Sequence, residues 1–125
     1  MSDKISVHVA CDHEVLRKCI AAFLDCHDQI EVRRTSPEGT RGVAEVTKTQ
    51  AQVVVLVIPA YEDVAKHVSW YRDALSDAAI VGFCLIPEQA GGFREADVDD
   101  LVHTHYTANE FLEAVKRAVG NRDKN

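Results

Sequence analysis

Gln52-Val53-Val54-Val55-Leu56-Val57-Ile58-Pro59 is the stretch on which the fold turns. Val53 to Ile58 is an unbroken aliphatic run, almost all of it β-branched. A strand with one wet face alternates apolar and polar residues. An unbroken run marks a strand covered on both faces, as in a parallel sheet between two layers of helices. The run is strand-length, far short of the ~18 apolar residues a membrane helix needs. Pro59 lacks a backbone donor and stops it.

Upstream, Thr40 to Gln50 is a weak helix with Val43 and Val46 on its apolar side, and Thr35-Ser36-Pro37-Glu38-Gly39 is a loop. Ile30 to Arg34 is a short alternating strand suited to an edge. Val15, Leu16, Cys19, Ile20, Phe23 and Leu24 recur at helical period and form one apolar face, with Asp12 placed to cap that helix. Lys4 to Ala10 is a strand on which Ile5, Val7 and Val9 alternate.

Downstream, Val64, Val68, Tyr71 and Leu75 mark a helix, and Ala79 to Ile86 a fourth strand. Pro87 to Gly92 is expected as a loop with a Gly-Gly pair, and Arg94 to Asp100 as a short helix. Leu101 to Thr104 is a fifth strand. Thr107 with Glu110 is a capping box opening a last helix, with Phe111, Leu112, Val115 and Val119 on its buried face and Gly120 at its end. Residues 1–120 form one domain, and Asn121 to Asn125 a polar tail.

The alternation is (βα)5, an α/β fold with a doubly wound parallel sheet, and right-handed crossovers favour the flavodoxin-like order 2-1-3-4-5. In such folds ligands meet the carboxyl ends of the central strands. Here those ends carry Cys11-Asp12, Val57, Cys84 and Thr104.

Composition narrows the function classes. The 125 residues are 46% hydrophobic and 27% charged, with net charge −6. That is an ordinary soluble domain, poorly suited to direct nucleic-acid binding, which needs clustered cations. The closest approach to a cluster is Arg33-Arg34 with Arg41 and Lys48. Cys11, Cys19, Cys26 and Cys84 form no CxxC pair, and Met1-Ser2-Asp3-Lys4 begins no export signal. The expectation is reduced thiols in a cytoplasm.

Several residues admit a functional and a plain reading. Asp12 either binds a cation or caps the first helix, and capping is preferred. Cys11 and Cys84, with one strand between them, are expected about 9–10 Å apart. A disulfide needs less than about 7 Å. Cys19 is expected in the core and Cys26-His27 on a loop. His103 and His105 share a strand face, as a metal clip or a solvated strand end. Trp70, the only tryptophan, lies beside the core stripe as partial filling or as an interface anchor. A thiol enzyme would require Cys84 as nucleophile, and no histidine lies near it in sequence. The chain is therefore read as a non-enzyme.

Val9-Ala10-Cys11-Asp12-His13-Glu14-Val15-Leu16-Arg17 resembles the opening of response-regulator receiver domains, particularly the NarL/FixJ subfamily, which often begins D-D-H-E-x-x-R. Gln52 to Ile58 resembles the strand that carries their phosphoacceptor aspartate, and Thr107 to Val115 their last-helix signature, often S-P-E-E-L-x-x-A-I. The resemblance covers the whole chain in order and spacing. A working receiver holds Mg²⁺ on two acidic residues after the first strand and phosphorylates an aspartate at the end of the third. A Thr or Ser ends the fourth strand, and a Lys the fifth. Carboxylate oxygens suit a hard cation, and cation and Lys neutralise the transferring phosphoryl group.

Carried onto this chain, the acidic pair falls on Cys11 and Asp12, the phosphoacceptor on Val57, the Thr/Ser on Cys84, the Lys on Thr104 and the aromatic switch on Leu101. Leu56 and Ile58 are equally inert as nucleophiles. The segment from Cys84 to Thr104 is about two residues shorter than the family's usual spacing, implying a short or irregular fourth helix. His13 matches the subfamily's opening histidine and is expected exposed.

The resemblance therefore implies a pseudo-receiver, with Mg²⁺ binding weak or absent, no other cofactor and no metal site. Its function is expected to be regulatory and phosphorylation-independent, through homodimerisation or contact with a related receiver. Helices 1 and 5, or the helix 4–strand 5–helix 5 face, would mediate it. DNA would be reached only through a C-terminal helix-turn-helix domain outside this chain, with the polar tail as the start of a linker. The alternative is a small-molecule sensor using an apolar carboxyl edge lined by Cys11, Val57, Cys84 and Leu85. Neither reading involves a membrane.

Overall fold

The computed structural model describes residues 4–123. Its order is β1 (Ile5–Cys11), α1 (Glu14–Asp25), β2 (Ile30–Ser36), α2 (Thr40–Thr49), β3 (Val53–Val57), α3 (Val64–Ala74), β4 (Ala79–Cys84), α4 (Gln89–Glu95), β5 (Asp100–His103) and α5 (Ala108–Asp123). The strands form one parallel sheet in the order β2-β1-β3-β4-β5.

β3 is buried along its whole length, as its unbroken run requires. Successive side chains point to opposite faces. Val53, Val55 and Val57 join Val7, Val9 and Cys11 against Ile20 and Leu24 of α1 and Phe111 and Val115 of α5. Val54 and Leu56, with Ile58 just past the strand, join Val46 of α2, Val68 and Tyr71 of α3 and Phe93 of α4 on the other face. Each such side chain contributes roughly 1.5–3 kcal/mol relative to exposure, so the central strand anchors both layers.

The structure corrects several expected boundaries. α4 spans Gln89–Glu95, covering the stretch expected as a loop, and Arg94 to Asp100 is not a helix of its own. The Gly91-Gly92 pair lies inside it because packing outweighs helix propensity. Phe93 is fully buried against Gly82 of β4, where a Cβ would come within 2.5 Å of the ring, and Gly92 lies against Val64. Glycine in a strand here permits the close approach of a ring. At seven residues, α4 is as short as the spacing implied.

α5 passes through Gly120 to Asp123, so the polar tail begins as helix. Asn121 donates to the Asp99 carbonyl and Arg122 to that of Ser76, which fastens this last turn. Lys124 and Asn125 lie outside the described residues, as do the first three. β2 continues to Ser36, β4 ends at Cys84, and β5 is Asp100–His103, leaving Thr104 and His105 beyond the strand. Of the predicted α1 stripe, Leu16, Ile20, Phe23 and Leu24 turn inward, joined by Ala21. Val15 is 65% exposed, and Cys19 is exposed too, because the predicted stripe is wider than the arc that meets the sheet. Thr107 caps α5 as predicted: Glu110 N–H donates to Thr107 Oγ1 at 3.2 Å.

Candidate functional site at the carboxyl edge of the sheet

Cys11 and Val57 are lateral partners at the ends of β1 and β3. Val57 is 2% exposed and purely aliphatic. The Cys11 thiol donates to the His13 carbonyl at 3.5 Å, and burial pushes its pKa up. Burial does the same to Cys84. Both thiols are thus held away from the thiolate, the nucleophilic form. They also sit on opposite faces of the sheet, Cys11 in the α1/α5 core and Cys84 in the α3/α4 core. The structure therefore does not pair them.

Asp12 does not cap α1. The N-cap is His13, exposed as expected, whose Nδ1 accepts the Leu16 N–H at 3.2 Å. Asp12 Oδ1 instead accepts the Glu38 N–H at 2.8 Å and ties the β1–α1 loop to the β2–α2 loop. That second loop turns at Gly39, whose φ of +83° only glycine adopts without strain. Arg17 donates to the Cys11 carbonyl at 2.8 Å and braces the end of β1.

A cavity of about 260 Å³ opens at this edge, walled by Cys11, Leu16, Val57, Pro59 and Leu85 and rimmed by Asp12 and His13. Of the residues singled out from sequence for this edge, the structure brings Cys11, Asp12, Val57 and Leu85 together. Cys84 is absent from this wall, contrary to the expected lining, because its side chain faces the opposite core. Thr104 is exposed past the end of β5. Leu101 packs half-buried against the α3/α4 core. His103 and His105 both border a groove between β5 and α5, and among the described residues no three His, Cys, Asp or Glu side chains converge to hold a metal. The donors at the sheet edge do not fit Mg²⁺. One is a buried protonated thiol, one is an aliphatic side chain, and the Asp12 carboxylate already holds a backbone N–H.

Two features escaped the sequence reading. The Glu38 side chain is fully buried, and His67 Nδ1 lies 2.8 and 2.9 Å from its two carboxylate oxygens. His67 Nε2 faces Glu62 at 3.9 Å, and its ring packs against half-buried Trp70 at 4.6 Å between centroids. Tyr71 donates to the Gly39 carbonyl beside this pair, and burial, reinforced by the Glu38 charge, pushes its pKa far up. The available signal was His67 itself, on the buried face shared by Val64, Val68 and Tyr71: a buried ring needs a partner. The second feature is Gln89. Its Nε2 donates to the Ile58 carbonyl at 2.8 Å, and its Oε1 accepts the Leu85 N–H at 2.8 Å. It staples the β3–α3 loop to the β4–α4 loop. Elsewhere, Arg33 pairs with Glu31, and Arg34 and Lys48 with Glu45, so the thin basic cluster is largely neutralised.

No protein-family model matches the sequence, and no curated protein matches it. Solved structures do. A LuxR-family two-component response regulator from Aurantimonas sp. SI85-9A1 superposes with a TM-score of 0.82 at 15% identity, over 95% of this chain and 87% of that one. A LuxR-family DNA-binding response regulator from Staphylococcus aureus gives 0.77 at 17%, over 92% and 98%. RcsB from Salmonella enterica serovar Typhimurium, bound to promoter rprA in the presence of phosphomimetic BeF3-, gives 0.77 at 15%, over 97% of this chain and 65% of that one. At such identities the likeness is one of architecture. The chain has the receiver fold, five parallel strands in the order 2-1-3-4-5 with five helices.

Proposed function

We propose that this chain is a non-enzymatic, phosphorylation-independent receiver-like regulatory domain of a two-component-type, transcriptional response regulator. The observation that carries the reading is Val57: the end of the central strand, where a receiver presents its phosphoacceptor, is a buried aliphatic side chain beside a protonated thiol. Mg²⁺ binding is weak or absent, since one exposed carboxylate already bonded to Glu38 N–H is a poor site for a hard cation. The domain acts by contact with a second copy or a related receiver, in the cytoplasm. DNA is reached through a separate C-terminal helix-turn-helix domain; RcsB, of which this chain spans 65%, is a similar structure bound to promoter rprA. No helix among the described residues is long and apolar enough to cross a membrane.

The test is an amide NMR titration with Mg²⁺ and beryllofluoride, the mimic of aspartyl phosphate. The expected result is no saturable shift at Cys11, Asp12, Val57, Cys84 or Thr104. Mg²⁺-dependent saturable shifts there would restore a kinase-driven switch. A second reading, a small-molecule sensor, is favoured by the apolar cavity at the same edge.

A further inference from the structure

The cavity walled by Cys11, Leu16, Val57, Pro59 and Leu85 has a size and a charge, and together they specify an occupant. We infer that it binds a small primary amine with an apolar, preferably aromatic, body of about ten non-hydrogen atoms, the body against Val57 and Leu85 and the ammonium at Asp12. This inference rests on the sensor reading above.

Size sets the body. An apolar cavity of about 150 Å³ accommodates benzene, so about 260 Å³ suits a molecule of about ten heavy atoms. The volume lies just below the range of about 300–1,000 Å³ usual for ligand sites, which excludes nucleotides and larger metabolites. The wall residues supply no strong hydrogen-bonding side chain, because the Cys11 S–H is already donated to the His13 carbonyl. An apolar body therefore loses nothing on entering, whereas a polar one would leave groups unpaired.

Charge sets the head group. Asp12 carries the one carboxyl group among the residues lining the cavity. Its Oδ1 holds the Glu38 N–H, and no described hydrogen bond uses Oδ2. His13, the other rim residue, holds the Leu16 N–H on its Nδ1. The Arg17 guanidinium donates to the Cys11 carbonyl. Asp12, Glu38 and Arg17 are the charges felt at Cys11, two negative and one positive. The adjoining surface past Pro59 adds Glu62 and Asp63 against Arg41 and Lys66. An ammonium gains a charge-assisted hydrogen bond at this rim, and a carboxylate or phosphate is repelled.

Three near-isosteric probes separate these elements: 2-phenylethylamine, 2-phenylethanol and phenylacetate, each titrated into the wild-type domain by amide NMR with a parallel thermal-shift series. The amine and the alcohol are expected to shift the amides of Cys11, Leu16, Val57 and Leu85 saturably. The amine should bind roughly tenfold more tightly, and phenylacetate should not bind. Asp12→Asn, at an exposed position where the amide oxygen still accepts the Glu38 N–H, should reduce the amine to the affinity of the alcohol. Leu85→Phe, which fills the half-buried wall, should abolish both. No saturable shift with the amine, or shifts centred elsewhere, would overturn the site. Equal affinity for amine and alcohol, or binding of phenylacetate, would overturn the charge assignment. The beryllofluoride titration is read separately. Silence with both beryllofluoride and amine removes the ligand and leaves phosphorylation independence standing, whereas a beryllofluoride response removes that independence whatever the amine does.

Discussion

His67 Nδ1 reaches both carboxylate oxygens of Glu38, at 2.8 and 2.9 Å, and with that contact α3 holds the β2–α2 loop against the sheet. The carboxylate is fully covered, and His67 is 9% exposed. A buried pair of this kind does little for net stability, but removing one partner strands the other away from water. His67→Leu, and likewise Glu38→Leu, should therefore cost about 3–5 kcal/mol. Replacing both residues, as Glu38→Leu with His67→Leu, should recover at least about 2 kcal/mol of that loss, because no charge is left buried. Urea unfolding of the two single variants and the double variant measures this directly. Additive losses would show that the two residues act separately.

The parts of the fold legible in sequence were those with a local cause. Val53 to Ile58 announced a strand covered on both faces, and Thr107 with Glu110 announced a helix start within four residues. The parts that were not legible depend on partners far apart in the chain. Gly91 and Gly92 weigh against a helix locally, yet Phe93 fixes one by filling the space that Gly82 leaves on the neighbouring strand. Asp12 looks like a helix cap from its position, but its carboxylate meets a backbone N–H 26 residues away. Glu38 and His67 lie 29 residues apart, and Gln89 and Ile58 lie 31 apart. At the site, the positions of Cys11, Asp12 and Val57 followed from strand order alone. Cys84 did not, because its inclusion depended on which face its side chain takes at the end of β4.

His8 gives the domain a defined acid sensitivity. The ring is fully buried on β1, with Nε2 2.8 Å from Ser36 Oγ and Nδ1 3.1 Å from Thr49 Oγ1. The Ser36 hydroxyl donates to the Pro37 carbonyl, so it accepts from Nε2–H, while the Thr49 hydroxyl beside Nδ1 donates to the Glu45 carbonyl at 2.9 Å. Burial first, and the Arg34 charge second, lower its pKa to about 4, with Glu45 opposing. The unfolded ring takes a proton near pH 6.5. The unfolded state therefore binds more protons between these values, and stability falls as pH falls. The contribution is complete above pH 6.5 and is lost as pH drops towards about 4, amounting to ~3 kcal/mol at most. His8→Gln should flatten the stability profile across this window relative to wild type. Urea midpoints at a series of pH values provide the comparison, and identical slopes would refute the assignment to His8.

Gln89 is the residue expected to hold the carboxyl edge in one arrangement. In the proposed function this edge receives no phosphoryl group, so the loops after β3 and β4 must be positioned by the chain itself, and a single buried side chain spans them. Gln89→Ala leaves the Ile58 carbonyl and the Leu85 N–H without this partner, at a cost of about 1–3 kcal/mol. It should also open the two loops locally, accelerating amide hydrogen exchange at Leu85 more than in the centre of β3. Gln89→Glu separates the two bonds. A carboxylate can still accept the Leu85 N–H, but its other oxygen then faces the carbonyls of Ile58 and Pro59, which the Gln89 amide nitrogen meets at 2.8 and 3.5 Å. This variant should keep Leu85 protected while losing stability. Wild-type exchange at Leu85 in Gln89→Ala would mean that the loops are held by their own packing and that Gln89 only fills space beneath them.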